Sequence, residues 1–167
     1  MKTLAVDLGT NLGYAYRNSE NELVSGGYDL KSNKKASNEM RWVLLYRFLT
    51  LLHGAEDFEA VVYEQPGRLF GHAKKILPGM QAIVELWAGQ NGLSIQSCSP
   101  SALKKFATGN GAADKAMMGL SAALRWPERV FTTHDEVDAL FIFTFFEKKN
   151  VREAGNTELP KAQPPGN

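Results

Sequence analysis

The chain is poor in soft metal ligands: one cysteine, Cys98, and three histidines stand among 167 residues. A lone cysteine closes no internal disulfide, and one thiol with three imidazoles is poor material for a structural zinc site. Long apolar runs are missing too. The longest, residues 139–146, is interrupted by Thr144 and falls far short of the roughly 20 residues a membrane-spanning helix needs. No membrane role is expected. The first residues reach the carboxylate of Asp7 after Leu4-Ala5-Val6, without the apolar stretch of a secretory leader, so a reducing cytoplasm is the expected compartment. No internal repeat is visible. With 44% hydrophobic and 22% charged residues, the expectation is one globular domain over residues 1–150, followed by a Gly-, Pro- and Asn-rich tail, 151–167, expected to be disordered.

Net charge is also scarce, at +1, yet it is unevenly spread. Residues 1–64 carry seven Lys/Arg and nine Asp/Glu, residues 65–129 eight and three, and residues 130–167 four and six. A middle segment of this sign suits a polyanion, although a solvated surface would look the same.

What is present alternates between strand and helix signals. Thr3–Asp7 reads as a short buried strand, residues 8–12 as a turn, residues 13–16 as its hairpin partner and 22–30 as a third antiparallel strand. Met40, Val43, Leu44, Phe48, Leu51 and Leu52 recur at helical spacing and predict a helix over 37–53. Residues 60–64 make a second buried strand. A Gly-rich basic loop, 65–77, leads to a helix that Pro78 would open, with Met80, Ile83, Val84 and Trp87 as a stripe serving either the core or a subunit interface. Residues 93–96 form a weak strand. Helices over 100–107, 113–124 and 134–149 follow, the first announced by Ser99-Pro100. The sum is an α/β sheet of mixed direction with helices on its faces.

Four carboxylates stand out by their context. Asp7 and Glu64 each end an apolar strand, and Asp135 and Asp138 share one face at the start of the last helix. Carboxylates brought together repel unless a cation neutralises them, and an all-oxygen set favours Mg²⁺ or Mn²⁺, commonly completed by water and substrate phosphate. Taken singly, each acid has a plainer reading: helix-dipole complement for Asp135, Glu136 and Asp138, a turn residue for Asp7, a strand-end charge for Glu64. The combination carries the signal. Asp7-Leu-Gly-Thr also looks like the phosphate loop of two-lobed sugar-kinase and actin ATPases, but the chain is too short to enclose a nucleotide between two lobes, and no nucleotide cofactor is expected.

The four acids in this order resemble the RuvC family of Holliday-junction resolvases, in the RNase H-like superfamily, and its phage-type members most of all. The likeness spans residues 4–146. Ala-Val-Asp7-Leu-Gly-Thr with Gly13-Tyr14 is similar to the family's first motif, Val-Val-Tyr-Glu64-Gln to its second, and Asp135-Glu-Val-Asp138-Ala-Leu to its last. Between them, Ser101-Ala-Leu-Lys104-Lys with Gly-Asn-Gly-Ala-Ala-Asp-Lys115 is similar to its basic segment.

The resemblance implies an RNase H-like mixed five-stranded sheet flanked by helices on both faces. It implies a metal-dependent endonuclease that resolves four-way DNA junctions, and other branched DNA, by paired nicks from a homodimer in a bacterial or phage-infected cell. Asp7, Glu64, Asp135 and Asp138 would hold two Mg²⁺ ions, with Mn²⁺ able to substitute, and Lys115 would assist at the phosphate. Lys104, Lys105, Lys74, Lys75 and Arg68 would bind DNA, and Phe70 is the nearest candidate for the aromatic wedge that bacterial members carry after the second acid. Two other readings stay open: a branched-DNA binder that does not cut, and a nuclease of the same superfamily acting on RNA or RNA/DNA hybrids.

Overall fold

The computed structural model describes residues 1–9, 11–30, 37–67, 71 and 73–156, with backbone only for residues 38, 73–75 and 152–156. Five strands, β1 (Thr3–Asp7), β2 (Asn11–Arg17), β3 (Leu23–Asp29), β4 (Ala60–Glu64) and β5 (Ser94–Cys98), form one sheet in the order β3-β2-β1-β4-β5. The first three strands pair antiparallel, whereas β4 and β5 add in parallel to β1. This is the mixed α/β sheet expected.

Alternation along each strand sends successive side chains to opposite faces. Leu4, Val6, Val61 and Tyr63 point to a face covered by α1 (Asn38–Glu56) and α2 (Ala73–Gln90), where Leu45, Leu49, Met80, Val84 and Trp87 are buried. Ala5, Ala15 and Val62 point the other way, beneath α5 (His134–Asn156), with α3 (Pro100–Thr108) and α4 (Lys115–Arg125) packed against it. Small side chains under α5 let it lie close to the sheet. Because α5 is then enclosed between sheet and helices, Val137 and residues 139–143 are all buried, which explains a segment apolar nearly all round.

Helix ends follow local chemistry. Ser37, Ser99 and Asp114 each accept a hydrogen bond from the backbone N–H three residues on, capping α1, α3 and α4. Asp57 and Gly109 take left-handed backbone after α1 and α3.

Several expectations need correction. Helix α2 begins at Ala73, so Pro78 lies inside it rather than at its start, and the preceding loop is correspondingly shorter. Strand β2 starts at Asn11, two residues early. The last helix runs to Asn156, so residues 151–156 are helical rather than part of a disordered tail. Residues 147–156 carry a single large apolar side chain, Val151, itself 69% exposed, and so lack the apolar stripe that reveals a helix; Glu, Lys, Arg and Ala sustain it by propensity. Residues 157–167 lie outside those described. Finally, Met80, Val84 and Trp87 are fully buried within the chain and belong to the core, whereas Ile83 of the same stripe is only partly buried. Among the described residues, no helix is long and apolar enough to cross a membrane.

Candidate active site

Register brings the first two acids together. Val6 lies opposite Tyr63 in the parallel β1–β4 pair, so Asp7 and Glu64 end neighbouring strands at the same edge. Asp7 has the parity of Ala5, and Glu64 that of Val62, so both carboxylates face α5. One elementary fact, the two-residue strand period, thus points two remote acids at the helix carrying the other two.

A glycine lets that helix arrive. Gly13, opposite Asp7 on β2, packs so tightly beneath α5 that a Cβ there would lie 1.8 Å from the Asp135 carbonyl oxygen. Any side chain at this position would lift the first turn of α5 off the sheet. The Asp135 carboxylate, in turn, lies over the β1–β2 turn, with Oδ1 3.6 Å from where a Cβ of Gly9 would be.

The four acids share one electrostatic field. Burial pushes the Asp7 carboxyl well above the usual carboxylate range, and the charges of Asp138, Glu64 and Asp135 push it further, in that order, against an opposing pull from Lys115. Glu64 is raised to about 7, by burial first and then by Asp138, with Lys104 opposing. Asp138 is raised to about 6 by burial and by Asp135, opposed by Lys115, His134 and Lys104. Among the described residues no Lys, Arg or His nitrogen stands within ion-pair distance of any of the four. The cluster holds negative charge that the described side chains moderate from a distance and do not neutralise.

The basic residues divide. Lys104, half-buried on α3, and Lys115, exposed at the start of α4, both exert their charge on the acids. Lys105 is exposed on α3 and contributes to none of the shifted acids. Lys74 and Lys75 belong to the first turn of α2, but their side chains lie outside the described residues, as do Arg68 and Phe70 entirely.

Sequence reasoning missed His134, whose charge reaches Asp138, although its place directly before Asp135 and four residues from Asp138 was visible. The start of α5 is held by the cap that Thr132-Thr133 predicts. Thr133 Oγ1 accepts from the Glu136 N–H at 3.1 Å, and Glu136 reaches back to Thr132, a capping arrangement spelled out by Thr133-His-Asp-Glu136.

The donor set suits a hard divalent cation. It is all oxygen, the carboxyls of Asp7, Glu64 and Asp138 are raised, and a cation would relieve the repulsion. Among the described residues, however, no three His, Cys, Asp or Glu side chains form a ready-made metal cage. The acids share a field before they share a coordination sphere. That is compatible with Mg²⁺, which takes one or two carboxylates and keeps waters and phosphate oxygens for the rest.

The thiol of Cys98, in register with Glu64, is buried and pushed up to about 12 by that burial and by the Glu64 charge, which makes it a poor nucleophile.

No protein-family model matches the chain, and no curated protein does. Solved structures do. RuvC of Thermus thermophilus superposes with a TM-score of 0.66 at 21% identity, covering 90% of this chain and 97% of that one. The T. thermophilus RuvC structure in complex with Holliday junction substrate gives 0.70 at 15% identity, over 90% and 96%. The yeast mitochondrial Holliday junction resolvase Ydc2 gives 0.62 at 13% identity, over 94% and 84%. Likeness at this level of identity establishes architecture, over most of both chains and not over a shared fragment. The chain has the RNase H-like fold of the RuvC-type Holliday-junction resolvases.

Proposed function

We propose that the chain is a metal-dependent, structure-selective endodeoxyribonuclease that resolves four-way DNA junctions and related branched DNA. The observation that carries this reading is the shared field of Asp7, Glu64, Asp135 and Asp138, flanked by Lys104 and Lys115, on a fold otherwise found in junction resolvases. Four acids crowded without an ion-pair partner are costly to stability, and a metal-bound phosphodiester is a ligand that would make use of them.

Asp7 stands at the centre, acted on by the other three acids, and would hold Mg²⁺ or Mn²⁺ together with Glu64, Asp135 and Asp138. When bound, the metal supplies the acidity that activates water and stabilises a leaving 3′ oxygen. Lys115, at the N-terminus of α4, would place positive charge beside the attacked phosphate, where exclusion of water strengthens it. Lys104 would hold the neighbouring phosphate, with Lys105, Lys74, Lys75 and Arg68 along the backbone, so binding should weaken steeply as salt rises. Phe70 is retained as the candidate wedge. One chain supplies one set of acids, and resolution takes two symmetrical nicks, so the active form would be a two-fold homodimer.

The test sets a four-way junction beside a fork, a linear duplex and an RNA/DNA hybrid, each with Mg²⁺ and with chelator. Paired, Mg²⁺-dependent nicks in the junction support the reading. Preferential cutting of the hybrid would reassign the substrate, and tight junction binding without cutting would make the chain a scaffold.

A further inference from the structure

Glu136 lies between Asp135 and Asp138 in sequence, where its plain reading is a complement to the helix dipole. Its surroundings say otherwise. Only 6% exposed, its carboxylate turns to the far edge of the sheet. Oε1 accepts from Ser25 Oγ of β3 at 2.7 Å. Oε2 accepts from the Thr132 N–H at 3.0 Å and from Thr132 Oγ1 at 2.9 Å. The Ser25 hydroxyl oxygen accepts in turn from Arg129 Nη1 at 3.0 Å, while Arg129 Nη2 donates to the Leu23 carbonyl. Three donors on one buried carboxylate satisfy it without a cation.

These bonds join three pieces of backbone: the segment entering α5, the first turn of α5, and the edge strand β3. Asp135 and Asp138 stand on that same turn, one residue before Glu136 and two after. On its inner side the turn rests on Gly13, which fixes its height; Glu136 fixes its rotation and its lateral place. We propose that Glu136 is a positioning residue for the acid cluster. It holds Asp135 and Asp138 where they can share a cation with Asp7 and Glu64, and itself touches neither metal nor DNA. The inference rests on the nuclease reading above and adds a residue to it.

A carboxylate is needed here because both oxygens meet donors. Glutamine keeps the shape and one acceptor and can turn its amide nitrogen to the Ser25 oxygen, so Glu136→Gln should preserve most of the placement. Glu136→Ala leaves the Thr132 and Ser25 donors without their acceptor and frees the turn. Ser25→Ala loosens the same carboxylate from β3 without altering α5.

The experiment measures Mn²⁺ affinity of the DNA-free protein by electron paramagnetic resonance, and kcat, KM and thermal midpoint for junction cleavage, in the wild type and these three variants. Outer-shell substitutions of this kind typically cost about 10- to 100-fold in metal affinity or activity. Glu136→Ala should lose about that much in Mn²⁺ affinity and kcat with KM for the junction nearly unchanged, Ser25→Ala a smaller amount in the same direction, and Glu136→Gln should recover most of it. Metal affinity and kcat equal to wild type in Glu136→Ala and Ser25→Ala, with only the thermal midpoint lowered, would overturn the positioning role while leaving the nuclease reading intact. If Glu136→Ala does not fold, the decision passes to Ser25→Ala on the same readouts. A wild type that neither binds Mn²⁺ nor cuts would overturn the nuclease reading itself, and this inference with it.

Discussion

Where β1 begins, Lys2 meets Glu56 at 2.7 Å and, nearby, Arg17 at the end of β2 meets Glu147 at 2.8 Å; where β1 ends, Asp7 lies in the field of three more acids and has no ion-pair partner among the described residues. The two edges belong to one sheet, five residues apart along the same strand. At the first edge opposite charges are matched and contribute modestly to stability, as partly exposed pairs do. At the second, like charges are held together by burial, register and a glycine contact, and stability is sacrificed. The difference teaches where to look for function: the paired edge is matched by itself, and the unpaired edge is the one that the proposed nuclease reading would complete with a cation and a phosphate.

The contrast can be broken most severely at its centre. Asp7→Asn should abolish Mg²⁺-dependent nicking, by about 1,000-fold or more, while junction affinity stays near that of wild type; a gel assay and a binding titration on one preparation check both. Next in size is Gly13→Ala, which places a methyl group against the Asp135 carbonyl and displaces the first turn of α5. Cleavage should fall about 100-fold, with a stability loss of about 1–3 kcal/mol by denaturant titration.

A third test compares the edges through pH. The folded-state pKa values of Glu64 and Asp138 are raised, to about 7 and about 6, and that of Asp7 is raised as well. The folded protein therefore binds protons more tightly than the unfolded chain, and its metal-free stability should fall by several kcal/mol as pH rises from about 4 through about 7. Asp7→Asn should flatten that fall, and saturating Mg²⁺ should reverse it at pH 8. Thermal melts across pH check the sign. The smallest effect belongs to the paired edge: Arg17→Ala should cost about 1 kcal/mol or less and leave cleavage unchanged.

Much of this was legible in the sequence because strands of period two and helices of period 3.6 write their faces in apolar residues. Asp7 and Glu64 could be placed at strand ends, and Asp135 and Asp138 on one helix face, before any coordinates. Two kinds of feature were not legible. Where helix continues through largely polar sequence, as in residues 147–156 of α5, periodicity has no signal to give; where Pro78 stands several residues into α2, a residue that usually opens helices misplaced the start. Tertiary hydrogen bonds were the other gap. Helical spacing sets Glu136 apart from the face that Asp135 and Asp138 share, but only the approach of Ser25, 111 residues away, shows what its carboxylate bonds to. The separation of Lys104 from Lys105 is likewise a matter of which side of α3 faces the acids.

The central claim is that the four acids at the unpaired edge bind divalent cations. Titrating Mn²⁺ into the DNA-free wild type and Asp7→Asn, with free ion read by electron paramagnetic resonance, tests it most directly. The account predicts saturable binding by the wild type that Mg²⁺ displaces and that Asp7→Asn loses by at least about tenfold in affinity. Equal uptake by both proteins, or none by either, would contradict it.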